Sequence, residues 1–289
     1  MKRWWASTLM AALWAGSVQA QPVVEFASLD APAGKAVQLK AHWYAAPGPQ
    51  APALVLLHGC GGMYNAKGSV SERMRDYATW LNQQGMHALV VDSFTPRGEK
   101  EICTQRTGSR AVTMAHRRQD ALAALQWLAQ RPEVDAQRIG LLGWSNGGSA
   151  VLSATNTRHR QVKGFALKPT FAVAFYPGCE AELKRGYAPS APLLLLVGEA
   201  DDWTSAASCH RLAEAAVGTK PQIEGYAGAH HGFDSSGPVR LLKNVPNGVN
   251  PGQGVHVGGN AEARQRSRER LLQFLQAYRS SPALPQNTR

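Results

Sequence analysis

Residues 21–280 of this 289-residue chain read as one α/β domain built on a mostly parallel, doubly wound sheet. Short apolar runs alternate with amphipathic stretches of helical spacing, and strands separated by helices imply parallel pairing through crossovers. The runs are apolar almost without interruption, the pattern of strands covered on both faces. No internal repeat, low-complexity tract or linker divides the chain, and 44% hydrophobic residues suffice for a large core.

Taken in order, the first element is not part of the fold. Lys2 and Arg3 precede an almost wholly apolar stretch, Trp4 to Ala15, and Val18-Gln19-Ala20 supplies small residues for cleavage. This is the pattern of a secretory signal removed after Ala20, and its apolar stretch is shorter than the roughly 20 residues of a membrane span. The runs around Val23 and Val37 to Trp43 suit an antiparallel edge hairpin. Ala53–Leu57 reads as a buried strand, Val70–Gln84 as a helix stopped by Gly85, and Ala88–Val91 as the next strand. A long helix follows over Arg110–Gln130, with Pro132 beyond its end. Further strands are expected at Ile139–Leu142, Phe171–Tyr176, Leu193–Val197 and, more weakly, around Ile223. A last helix covers Ala261–Tyr278; Asn244–Gly259 reads as an ordered surface loop near the site entrance, and Ser281–Arg289 as a frayed tail.

The net charge is +11, or +9 once Lys2 and Arg3 leave with the leader. Nucleic-acid binding is not expected, because the basic residues are scattered. The densest group, Arg264, Arg266, Arg268 and Arg270, is interleaved with Glu262 and Glu269, as on a solvated helix face. The four cysteines, Cys60, Cys103, Cys179 and Cys209, are an even number in an exported chain, which favours disulfides. Neither C-x-x-C nor H-E-x-x-H spacing occurs, so no zinc site is expected; the serine chemistry read below needs no metal or organic cofactor.

In a parallel sheet, ligands bind beyond the carboxyl ends of the strands. After Leu57 comes His58-Gly59-Cys60-Gly61-Gly62; after Leu142, "GWSNGG"; after Val197, "GEADD"; after Tyr226, "GAHHGF" beginning at Gly228. A G-x-S-x-G motif is common by chance in a chain with 28 glycines, and Ser145 could simply cap the next helix. The other strand ends tip the balance. They supply an Asp and a His in the order Ser145, Asp201, His231, which characterises the α/β-hydrolase fold, with the small residues that a strained nucleophile turn requires. The N–H groups of Cys60 and Asn146 are placed to form an oxyanion hole.

These stretches closely resemble the dienelactone hydrolase family, in its exported branch with a serine nucleophile. The resemblance spans nearly the whole mature chain and rests on "LLHGCGGMY", "VDSFTPRG", "RRQDALAALQWL", "GLLGWSNGG", "FYPGC", "LLLLVGEADDWT", "GAHHGFD" and "GGNAEARQRSRERLLQFL". It implies an eight-stranded sheet, hydrolysis of a small ester or lactone, and the choice of Asp201 over Asp202 and His231 over His230. Its strand order implies the disulfides Cys60–Cys103 and Cys179–Cys209. The chain departs from the founding members in carrying Ser145 in place of Cys and in lacking a carboxylate in the H-G-C-G-G loop, so ester hydrolysis carries over but the lactone substrate does not.

Arg97 is a candidate for binding a substrate carboxylate, with anchoring of its own loop as the alternative. Trp144 and Trp203, beside the nucleophile and the acid, are candidates for an acyl pocket, or for packing behind the turns. A polyester or cutinase-like hydrolase would share the export signal and the G-W-S-x-G turn. A non-catalytic binding protein on the same scaffold would typically lack a triad member, and none is missing here.

Overall fold

A computed structural model describes residues 21–279, so the leader, residues 1–20, and the tail lie outside the described residues. The central element is a sheet of eight strands: β1 (Val23–Ala27), β2 (Gln38–Tyr44), β3 (Ala51–Leu57), β4 (His87–Asp92), β5 (Val134–Trp144), β6 (Phe171–Phe175), β7 (Leu193–Gly198) and β8 (Gln222–Tyr226). They lie in the order β1-β2-β4-β3-β5-β6-β7-β8. β1 and β2 form an antiparallel edge pair, β2 is antiparallel to β4, and the remaining pairs are parallel.

The apolar runs behave as a sheet covered on both faces must. Every residue of β3 is buried, and alternate residues enter opposite cores. Ala53, Val55 and Leu57 join one core, packed by helices α2 (Met114–Ala129), α3 (Asn146–Thr155) and α6 (Ala206–Ala215). Leu54 and Leu56 join the other, under α1 (Glu72–Gln83) and α7 (Ala261–Arg279). The two-residue period of a strand divides a continuous apolar run between two layers. Short helices α4 (Arg160–Gly164) and α5 (Glu180–Arg185) complete the helical set.

Element ends differ from the sequence reading for local reasons. α2 begins at Met114, not near Arg110, because Thr113 caps it: the Thr113 side chain accepts from the His116 N–H, and His116 Nδ1 accepts from the Thr113 N–H. β3 extends back through Pro52, where the pairing with β5 shifts register between Ala51 and Ala53, as expected of a residue without an N–H. The stretch expected to be loop, Asn244–Gly259, contains β10 (Val255–Val257), which pairs antiparallel with β9 (Arg240–Leu242). The interleaved arginines of α7 are engaged as on a solvated face. Arg266 pairs with Glu262 and Glu224, and Arg268 lies over the Tyr77 and Trp80 rings.

Candidate active site

β5 ends at Trp144 and α3 begins at Asn146, so Ser145 alone makes the turn. It does so at φ 53°, ψ −118°, a backbone that non-glycine residues rarely adopt and that persists only where the surroundings impose it. They impose it tightly here. A Cβ at Gly143 would strike the Gly147 carbonyl, and one at Gly147 would strike the Leu57 carbonyl. The turn is thereby pressed against the end of β3, beside the His58-Gly59-Cys60 loop.

Three strand ends converge on this point. Ser145 Oγ is 2.8 Å from His231 Nε2, and His231 Nδ1 is 2.8 Å from Asp201 Oδ2. A carboxylate only accepts, so Nδ1 carries the imidazole proton and Nε2 is left to accept from Ser145. Asp201 Oδ1 accepts from the Trp203 and Thr204 N–H groups at 2.8 and 2.9 Å, while the Thr204 hydroxyl lies 2.9 Å from Oδ2. Burial pushes the Asp201 carboxyl up, but His231 and these N–H donors outweigh it and hold the group below its ordinary range. The Trp203 ring lies 4.7 Å, centroid to centroid, from that of His231.

Cys60 and Asn146 line the same cleft as Ser145. The Asn146 N–H opens a helix and has no acceptor within it. Cys60 is bonded to Cys103, and Cys179 to Cys209; the first bridge ties the glycine-rich loop to the segment before α2, the second joins the start of α5 to α6. A cleft of about 310 Å³ opens over Ser145, with Cys60, Arg110, Asn146, Trp203 and Asn247 in its walls. Larger clefts near Arg73 and near Tyr64, about 580 and 470 Å³, contain none of the converging residues, so chemistry rather than size marks the site.

Two candidates are corrected. Arg97 is not a substrate ligand: all five of its N–H donors are used, on Asp30, Asp120 and the Ser93 carbonyl, at 2.8–3.1 Å. It anchors its own loop to α2 and to the turn after β1. Trp144 is not in the cleft either. Its ring is buried in the core under α1, against Tyr77 and Phe175 at 4.7 and 5.8 Å, because a side chain one residue before the turn faces the other side of the sheet.

Three participants escaped the sequence reading. Thr204 is visible as part of "DDWT", but only the folded turn brings its hydroxyl to Asp201 and within 3.2 Å of His231 Nδ1. Arg117 is fully buried, and its Nη1 donates to the His58 carbonyl and to Asn146 Oδ1, both at 2.7 Å. It thus ties the glycine-rich loop to the start of α3, and burial brings its pKa down to about 10. Arg110 lines the cleft and makes no ion pair among the described residues. The carboxylates in the same wall are engaged, Glu180 by Lys184 and Glu182 by His159. No side-chain spacing in the sequence announces either arginine.

The sheet order, the strained serine turn and the Ser-His-Asp contact define an α/β-hydrolase architecture. The chain belongs to the dienelactone hydrolase family, whose sequence profile matches residues 39–279. Over 147 residues it is 29% identical to a probable 2-oxo-3-(5-oxofuran-2-ylidene)propanoate lactonase of a Bradyrhizobium species, a match spanning 46% of this chain and 56% of that protein. Among solved structures it is similar to a dienelactone hydrolase-like promiscuous phosphotriesterase from metagenomic libraries (19% identity, 91% of this chain, all of that one, TM-score 0.59). It is likewise similar to propionate-bound esterase 2 of Thermogutta terrifontis (19% identity, 89% and 94%, TM-score 0.59). At these identities the solved structures speak to the fold. No helix of the described residues is long and apolar enough to cross a membrane.

Proposed function

We propose that this chain is an exported serine hydrolase that cleaves small carboxylic esters or lactones through an acyl-enzyme on Ser145. The observation that carries this reading is the continuous hydrogen-bonded line Ser145–His231–Asp201, whose serine sits at a positive φ in the strand-to-helix turn. His231 Nε2 takes the hydroxyl proton as Ser145 Oγ attacks the carbonyl carbon. The resulting oxyanion is held by the Cys60 and Asn146 N–H groups, each such donor worth about 3 kcal/mol in the transition state. The imidazolium, steadied by Asp201, returns its proton to the departing alkoxide, and the C–O bond breaks. Water, deprotonated by the same nitrogen, then attacks the acyl-enzyme and releases the acid with Ser145 restored.

The cleft of about 310 Å³ favours a small molecule over a polymer, since pockets of a few hundred Å³ enclose ligands of that size. Relatedness to a probable lactonase supports including cyclic esters. Export is supported by the two disulfides, which persist in oxidising compartments. The test is release of p-nitrophenol from p-nitrophenyl acetate and butyrate by the mature protein and by Ser145→Ala. The wild type is expected to turn over and the variant to lose about 10⁴-fold or more in kcat. An inert wild type, or a variant that keeps its rate, would return Ser145 to the role of a helix cap.

A further inference from the structure

Next to Asp201 and His231 in the chain, a second set of side chains converges. Asp202, His230 and His256 come from three separate segments, and each offers one ligating atom within 4.8 Å of the other two. We propose that these three residues form a site for a divalent transition metal of the zinc class.

The state of His230 supports this first. Its Nδ1 lies 2.8 Å from the Ala200 carbonyl, which can only accept, so Nδ1 carries the proton and Nε2 presents its lone pair. A ligating histidine is prepared in this way, with its other nitrogen donating to a backbone carbonyl that fixes tautomer and ring orientation. His256 stands opposite, its ring 5.1 Å from that of His230 and inclined by 34°. Asp202 accepts from His256 twice, from the backbone N–H at 2.8 Å and from Nδ1 at 2.6 Å, so a bound ion would displace the Nδ1 proton or take the ring's Nε2. Two imidazoles and one carboxylate leave a fourth position for water, the donor set of an open zinc site. Calcium and magnesium, which require six or more oxygen ligands, are excluded by the same set. Tetrahedral ligand atoms at zinc lie about 3.3 Å apart, so the Asp202–His256 contact opens while the wider separations in the group close. His256, with 45% of its side chain exposed, has the freedom to do so.

The sequence offered no sign of this site because no two ligands fall within one motif. The fold assembles them by laying β10 against the end of the His230–His231 turn: Val257 bridges to His231, and the Gly258 N–H donates to the His231 carbonyl at 3.0 Å. The Val249 N–H donates to the Asp202 carbonyl at 2.9 Å. A bound ion would clamp the β9–β10 hairpin, whose connecting loop carries Asn247 in the cleft wall, onto the loops that carry Asp201 and His231.

The test uses the tag-free, chelator-treated mature protein, titrated calorimetrically with ZnCl₂ and, as a hard-ion control, with MgCl₂. One zinc per chain, no magnesium binding, and a Tm that rises with zinc are expected for the wild type. His256→Ala and His230→Gln, each first shown to be folded by its metal-free melting curve, are expected to lose the binding and the Tm response together. Absence of saturable zinc binding to the wild type, or binding that survives in His256→Ala or His230→Gln, would overturn the site and leave Asp202–His256 as a loop pin. Since the readout is binding and not turnover, the result is independent of the esterase proposal.

Discussion

Two adjacent aspartates each hold a histidine, and the two pairs differ in nearly everything but distance. Asp201 meets His231 at 2.8 Å with the side chains 1% and 4% exposed; Asp202 meets His256 at 2.6 Å with 29% and 45% exposed. In the first pair, the carboxylate is fixed by two backbone N–H groups and a threonine, and the far nitrogen of the imidazole faces a serine. In the second, the carboxylate holds the backbone and ring of one half-exposed residue. Adjacent residues of one turn thus carry the same two side-chain types into a buried hydrogen-bonded line that ends at Ser145 and into a half-exposed pair. A histidine–carboxylate contact is therefore no evidence of catalysis by itself; what surrounds it decides.

The sharpest way to break that contrast is to cut both pairs. Asp201→Asn and His231→Ala are expected to lower kcat on p-nitrophenyl acetate by about 10⁴-fold, since the imidazole loses its orienting acceptor or is lost altogether. Asp202→Asn and His256→Ala in metal-free protein are expected to stay within about twofold of wild type, as surface substitutions away from reacting groups do. Comparable losses from both sets in steady-state assays would mean that the outer pair also positions the reacting groups.

The same contrast explains what could be read without the structure. The sheet was legible because β3, β4 and β7 are apolar on both faces, and Ser145 and Asp201 because each follows such a run; His231, after the weaker β8, was legible only by its place in the order Ser, Asp, His. Residues whose work depends on side-chain direction were not. Arg97 and Arg117 both follow β4 in sequence and are both at least largely buried, yet one is consumed by Asp30 and Asp120 while the other braces the loop beside Ser145. Trp144 borders the nucleophile in sequence but packs across the sheet from it. The grouping of Asp202, His230 and His256 depends on how β10 returns to the sheet end, which no local pattern encodes.

Arg117 sharpens the inner half of the comparison. It is a buried cation held by two neutral acceptors, and among the described residues its Nε and Nη2 have no partner. Replacing such a group with an apolar one of similar length is often neutral or favourable for stability. Arg117→Met is therefore expected to melt near the wild-type temperature. Its kcat should fall about 10–100-fold, part of the value of an oxyanion donor, because the Cys60 and Asn146 N–H groups lose their common brace. KM should move little. An unchanged kcat with an altered Tm would make Arg117 a packing residue only.

Arg110 extends the test to the cleft. As the cation in that wall without an ion-pair partner among the described residues, it is placed to meet an anionic group on the substrate. Arg110→Ala is expected to raise KM about tenfold for a p-nitrophenyl ester bearing a free carboxylate, the value of one charge-assisted hydrogen bond at a partly solvated site. KM for the neutral acetate should be unaffected. Equal changes for both esters would remove Arg110 from substrate binding.

The smallest expected effect concerns stability in acid. Although burial opposes it, the contact with His231 and the N–H donors of Thr204 and Trp203 lowers the Asp201 pKa from the ordinary 3.8. A carboxyl depressed in the folded state stabilises that state above its unfolded value, and the contribution is lost as pH falls through the folded one. The gap in urea midpoint between wild type and Asp201→Asn should therefore hold steady from about pH 7 to pH 5 and narrow below about pH 4. His231 remains beside Asn in the variant, so the narrowing isolates the charge of the carboxylate from the packing of the turn. A gap that stays constant into acid would show that burial and geometry, and not the ionised state of Asp201, set the inner pair apart from the outer one.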